Sequence, residues 1–162
     1  MASHKIEQTV QLGLLDRLID LDPENRFEAP LTRAESLRQF RNAVKRDLEW
    51  LLNTTRPPLD VPESCAEVEK SVICYGLPDI STVSMQSSSD ESRLRRSLEN
   101  SIETFEPRLS RPKVTSKEPF KKARQALTFH VEAILMVEPS PERIAFDTVL
   151  EISKGSYSLK ET

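Results

Sequence analysis

The stretch Ile102-Glu103-Thr104-Phe105-Glu106-Pro107-Arg108-Leu109 divides this sequence into two halves of different periodicity. Before it, apolar residues recur at steps of three and four; after it, they alternate. Pro107 lacks a backbone N–H and drives the preceding residue out of helical geometry. A helix therefore ends at this point and a strand is free to begin.

Upstream, Leu94, Leu98, Ile102 and Phe105 form one helical stripe, opened by Ser88 or Ser89 with Glu91 at capping distance. The stripe Leu37, Phe40, Val44, Leu48 and Leu51 predicts an earlier helix, with Thr32 and Glu35 as its capping box and Arg56-Pro57-Pro58 as its stop. A shorter helix is expected from Ser64, carrying Val68, Val72 and Ile73 inward, with Gly76 as the left-handed residue beyond its end. A first helix is expected over about Thr9 to Leu21, buried through Leu12, Leu15 and Ile19 and widened by Leu14 and Leu18. The segment Asp22 to Pro30 reads as a turn or short linker, and 80–89 as a flexible serine-rich loop.

Downstream, Leu127, Phe129, Val131, Ala133, Leu135 and Val137 alternate with Thr128, His130 and Glu132, which predicts a long half-buried strand. Leu109 to Thr115 precedes it, and Pro112 confines that strand to an edge or to its beginning. Ile144, Phe146, Thr148 and Leu150 alternate again, Ser153 to Gly155 turns, and Tyr157 with Leu159 suggests a last short strand. Helices first and strands last imply an α+β fold, with N-terminal helices packed on a small C-terminal antiparallel β-sheet. A single domain over 1–162 is expected, helical over about 9–106 and mainly strand over 107–160.

Composition narrows the function classes. A net charge of −3 gives no electrostatic pull toward nucleic acid or anionic lipid. The basic clusters Arg93 to Arg96 and Lys121 to Arg124 are short enough to be solvated faces. No apolar run reaches the roughly 18 residues of a membrane span, and Met1 to Lys5 leads into an amphipathic stretch instead of a signal-peptide core. Cys65 and Cys74 stand nine positions apart. On one helix that separation is too long for a disulfide, and the spacing matches no zinc pattern, so reduced thiols in a cytoplasm are expected.

A catalytic constellation is not apparent in the sequence. Glu103 and Glu106 lie one helical turn apart, close enough for a glycosidase pair, but nothing around them suggests a sugar cleft. His130 shares a strand face with Glu132 and lacks a nucleophile or a second ligand, so it reads as a surface histidine; His4 lies near the chain start. Three glycines make no phosphate loop. No catalytic, cofactor or metal residues are expected. The unusual feature is the junction itself. Glu106 sits where the helix dipole disfavours an anion, and Arg108 offers a planar fork suited to a carboxylate. From pattern alone the two form a local ion pair that fixes the chain turn.

Five stretches carry a resemblance. They are Leu14-Leu15-Asp16-Arg17-Leu18-Ile19-Asp20, Val44-Lys45-Arg46-Asp47-Leu48-Glu49-Trp50-Leu51-Leu52-Asn53, Tyr75-Gly76-Leu77-Pro78-Asp79, Glu106-Pro107-Arg108-Leu109 and Ala145-Phe146-Asp147-Thr148-Val149-Leu150. In this order they resemble the TssE family, small baseplate components of bacterial type VI secretion systems, similar to the lysozyme-like wedge protein of contractile phage tails. The resemblance implies a structural, non-enzymatic role beside TssF, TssG and TssK in a cytoplasmic baseplate at the inner membrane, on which the TssB–TssC sheath starts to polymerise. It implies that Glu106, Pro107 and Arg108 bind partner proteins, without nucleic acid, cofactor or membrane insertion. The alternatives from other classes are a peptidoglycan-cleaving enzyme and a small regulatory adaptor.

Overall fold

A computed structural model describes residues 9–19, 23–24, 30–79, 88–117, 126–151 and 156–161. Its chain comprises two compact units, Met1–Arg46 and Asp47–Thr162. The architecture is α+β, with helices followed by a four-stranded antiparallel sheet, as the change of period at Pro107 predicts.

In the first unit, α1 is the short helix Leu14–Leu18 and α2 (Arg33–Asn53) begins. The first helix is much shorter than expected. Gly13 and Ile19 on either side of it are both extended. Leu14, Leu15 and Leu18 are exposed (73%, 52% and 73%), so the helix that forms has little apolar packing to extend it. The segment is tied to α2 by Val10 N–H donating to Ser36 Oγ at 3.0 Å and by Arg46 pairing with Asp16 at 2.8 Å. The Thr32 capping box is present: Glu35 N–H donates to Thr32 Oγ1 at 3.3 Å, and Thr32 N–H to Glu35 Oε2 at 2.9 Å. The Thr32 backbone N–H, and then its hydroxyl donating at 2.7 Å, hold the Glu35 carboxyl below its ordinary range.

In the second unit, the end of α2 buries Leu48, Leu51 and Leu52 while Trp50 stays exposed. The expected helix from Ser64 is broken into a 3-10 turn at Glu63–Cys65, one α-helical turn α3 (Ala66–Glu69) and a second 3-10 turn at Val72–Cys74. Ser64 makes no cap. The Ser71 hydroxyl donates back to the Val68 carbonyl at 2.7 Å, competing with the helical ladder where it ends. The tighter 3-10 winding rotates the side chains. Val68, Val72 and Ile73 are exposed, and Cys74 points inward instead. The two cysteines thus share no helix, and both are free thiols.

Gly76 is left-handed (φ +107°), and a Cβ there would stand 2.3 Å from the Thr54 carbonyl oxygen. That close approach lets Leu77 N–H donate to Thr54 O, and Arg56 N–H to Leu77 O, both at 2.8 Å. The buried Ser101 hydroxyl of α4 (Ser88–Phe105) donates to the Gly76 carbonyl at 3.1 Å. Leu94, Leu98 and Ile102 of α4 are buried, and this helix packs on the first strand.

The strands β1 (Leu109–Ser116), β2 (Ala126–Leu135), β3 (Glu142–Glu151) and β4 (Ser156–Glu161) lie in sequence order, which makes β1 and β4 the sheet edges. Period-2 alternation places Val114, Val131 and Phe146 in register on the buried face, with Phe129, Thr148 and Leu159 beside them. Pro112 lies in an irregularity of the β1–β2 ladder between Ser110 and Lys113, where Arg111 takes φ 53°. Such a bulge is how an edge strand accommodates a residue with no donor. His4, most of the Asp22 to Pro30 segment, residues 80–87 of the serine-rich loop, the Lys121 to Arg124 cluster and the turn at Ser153 to Gly155 lie outside the described residues.

Candidate functional site at the helix-to-strand junction

The junction is a tight turn anchored at both ends. Glu106 N–H still donates to Ile102 O at 2.9 Å, and Leu109 N–H closes the turn on Glu106 O at 3.0 Å. Pro107 occupies the second position of this turn, where its fixed φ is favoured. The Arg108 carbonyl accepts Met136 N–H at 2.8 Å, fastening the turn beyond the end of β2.

The Glu106 side chain is buried (5% exposed), and its carboxylate faces an arginine fork. Arg108 Nε donates to Glu106 Oε1 at 2.6 Å and Nη2 to Glu106 Oε2 at 2.5 Å. The Arg108 backbone N–H also approaches Oε1 at 3.3 Å. A carboxylate at a helix C-terminus is disfavoured by about 0.3–1 kcal/mol. Each hydrogen bond to a charged group is worth about 1.5–3 kcal/mol. The fork therefore outweighs the dipole, and Glu106 is tolerated because Arg108 follows it.

Arg108 also reaches out of the turn. Nη2 donates to Asp47 Oδ2 of α2 at 2.6 Å. Sequence pattern gave Asp47 no role, although it directly precedes Leu48 of the buried stripe. Helical phase places it at the margin of that stripe, but only the folded chain brings Arg108 to it. Burial alone would lower the Arg108 guanidinium, but its bonds to Glu106 and Asp47 prevail and raise it above its ordinary value. Tyr75 lies in the same field. Burial first, then the Asp47 and Glu106 charges, raise its hydroxyl, and its ring meets Phe105 edge-on at 5.3 Å.

The three side chains carry two carboxylates on one guanidinium. Arg108 and Asp47 each leave about a quarter of the side chain open (24% and 26%). Both Glu106 oxygens are engaged by Arg108, so Glu106 is badly placed to hand a proton to a bound sugar. Glu103 is exposed and lines a separate groove of about 460 Å³ with Asn100 and Phe105. His130 bonds through Nδ1 to Asp147 at 2.8 Å, and Lys117 pairs with the same carboxylate at 2.6 Å on the outer sheet face. Among the described residues no His, Cys, Asp and Glu cluster is arranged to hold a metal ion, and no helix is long and apolar enough to cross a membrane. The junction is thus a buried carboxylate, a guanidinium and a second carboxylate joined in one hydrogen-bonded chain.

Residues 38–140 match the family model of the baseplate wedge protein gp25. The match spans more than half of the chain and includes the junction, and the chain belongs to this family of structural wedge proteins. Among solved structures, it is similar to a chain of "The baseplate complex from the type VI secretion system", at 20% identity over 69% of this chain and 94% of that chain, with a TM-score of 0.47. No curated protein matches it.

Proposed function

We propose that this protein is a TssE-type wedge subunit of a bacterial type VI secretion baseplate, acting as one domain at the cytoplasmic side of the inner membrane and without enzymatic activity. The observation that carries the reading is the Arg108 fork. It joins the buried Glu106 to Asp47, and about a quarter of each of the Arg108 and Asp47 side chains reaches the surface. Pro107 fixes the turn that presents them. The expected partners are TssF, TssG and TssK, with the TssB–TssC sheath starting on the assembled wedge.

The sheet supplies a second contact in this reading. An edge strand offers backbone groups to which an extended segment of the first sheath ring adds, either along Leu109 to Val114 or along Tyr157 to Leu159. The test is recovery of TssF, TssG or sheath subunits with a tagged copy from its native cell, for the wild type, Arg108→Lys and Arg108→Ala. Lysine keeps the charge but lacks the fork. Recovery should fall at least tenfold for Arg108→Lys while the purified variant keeps the wild-type circular dichroism spectrum. Undiminished recovery with both variants would overturn the docking role of the junction.

A further inference from the structure

Around much of the sheet, polar groups are satisfied from within the chain. On β4, Tyr157 N–H donates to Asn53 Oδ1 at 2.8 Å, and Asn53 Nδ2 donates to the Tyr157 carbonyl at 2.9 Å. Leu159 N–H donates to Glu49 Oε1 at 3.1 Å, and on β1 Val114 N–H donates to Glu99 Oε1 at 2.8 Å. On the outer face, Asp147 takes both His130 and Lys117. The end of that face beside the β1 bulge is different.

There the register sets Lys113, Glu132 and Ala145 side by side on β1, β2 and β3, with Ile134 opposite Arg143 in the adjoining row. Residues directly opposite in a ladder share a face. Arg111 joins them through the bulge. Ala133 is buried, and a regular ladder would turn its β1 partner inward with it. The extra residue between Ser110 and Lys113 breaks that alternation, and Arg111 stays exposed at φ 53°. The result is a shallow basin of about 560 Å³ lined by Arg111, Lys113, Arg143 and Glu132, with half-buried Ile134 and Ala145 between them. The three cations are exposed, and none pairs with a carboxylate among the described residues. Glu132 meets His130 Nε2 instead, at 3.4 Å.

We propose that this basin docks an acidic segment of a protein partner, one whose carboxylates flank an apolar side chain. Charge complementarity selects that occupant: Arg111 and Arg143 offer forks matched to carboxylates, and Lys113 adds a third cation. Ile134 and Ala145 give the apolar side chain a surface to cover. The basin is too large for a single ion and suits a few side chains. A nucleic-acid backbone fits it worse. Its repeated phosphates would seat beside the Glu132 carboxylate, on a chain of net charge −3. The pairs form at an exposed face, so binding is modest and weakens with salt. The inference goes beyond the wedge reading and does not depend on the junction.

The test is fluorescence anisotropy at low salt with the full chain and a labelled peptide in which glutamates flank a leucine. The same peptide with glutamines, and a single-stranded DNA oligonucleotide of equal length, are the comparison probes. The wild type should bind the acidic peptide about tenfold more tightly than either. Lys113→Gln combined with Arg143→Gln should weaken that binding about tenfold. Arg95→Gln with Arg96→Gln removes the same charge from exposed positions of α4 and should leave the affinity within about twofold. Arg111→Gly keeps the left-handed backbone and removes the fork, so binding should fall while the thermal midpoint does not. No binding of the acidic peptide by the wild type, equal losses in the two paired variants, or tighter binding of the oligonucleotide would overturn the proposal. Recovery of wedge partners by the Arg108 variants bears on the junction alone.

Discussion

Arg108 Nη2 meets Asp47 Oδ2 at 2.6 Å although 61 positions separate the two residues. The bond ties α2 to the turn between α4 and β1, so the junction is a tertiary cross-link as well as a local ion pair. Its energetic weight is moderated by water, since both side chains are partly open.

A double-mutant cycle measures that link. Arg108→Ala leaves the Glu106 carboxylate buried without its counter-ion and should cost about 2 kcal/mol, below the roughly 3–5 kcal/mol of a fully buried pair. Asp47→Ala should cost less. The coupling between them, read from urea midpoints, should lie at about 1–2 kcal/mol. Additive effects would mean that Asp47 and Arg108 act independently.

Two buried hydroxyls lie diagonally across the β3–β4 pair without hydrogen-bond partners among the described residues, those of Thr148 and Tyr157. Thr148→Val and Tyr157→Phe remove them at nearly constant volume and should each stabilise the fold by about 1 kcal/mol. Loss of stability in both would reveal a bridging water between them.

Tyr157 also makes stability depend on alkaline pH. Burial raises its hydroxyl above the ordinary value near 10. Above about pH 10 the unfolded chain releases this proton while the native chain keeps it, so the unfolded state binds fewer protons and stability falls as pH rises. The contribution is fully present below pH 10. Chemical denaturation at pH 9 and pH 11 should show a smaller loss for Tyr157→Phe than for wild type; equal losses would place the alkaline effect elsewhere.

Gly76→Ala forces a Cβ against the Thr54 carbonyl at a positive φ. The expected cost is at least about 2 kcal/mol, with loss of exchange protection at Leu77 and Arg56. Wild-type stability would show that the 54–56 and 76–77 segments separate without penalty.

Leu14→Ser with Leu18→Ser removes two exposed leucines of α1. The thermal midpoint should hardly move, within about 0.5 kcal/mol. A large drop would place α1 in the core.

Much of this arrangement is legible in the sequence, for identifiable reasons. Phe40, Val44, Leu48 and Leu51 keep step over many turns, and Thr32 with Glu35 marks the helix start; Phe129, Val131 and Ala133 alternate long enough to define a strand. Pro112 correctly marks an edge. Short segments mislead because one turn holds too few residues to set a phase. Val68, Val72 and Ile73 look like an inward stripe but are exposed, since an apolar residue carries no obligation to be buried. At the junction, Glu106 and Arg108 declare themselves by adjacency to Pro107. Asp47, Glu49 and Asn53 do not, because their partners lie 61, 110 and 104 positions away and only folding brings them near.

Asp47, Glu49 and Asn53 lie on one uninterrupted helix, about 9 Å from first to last. The last two turns of α2 therefore meet two parts of the second unit at once, the charged turn through Asp47 and the edge strand β4 through Glu49 and Asn53.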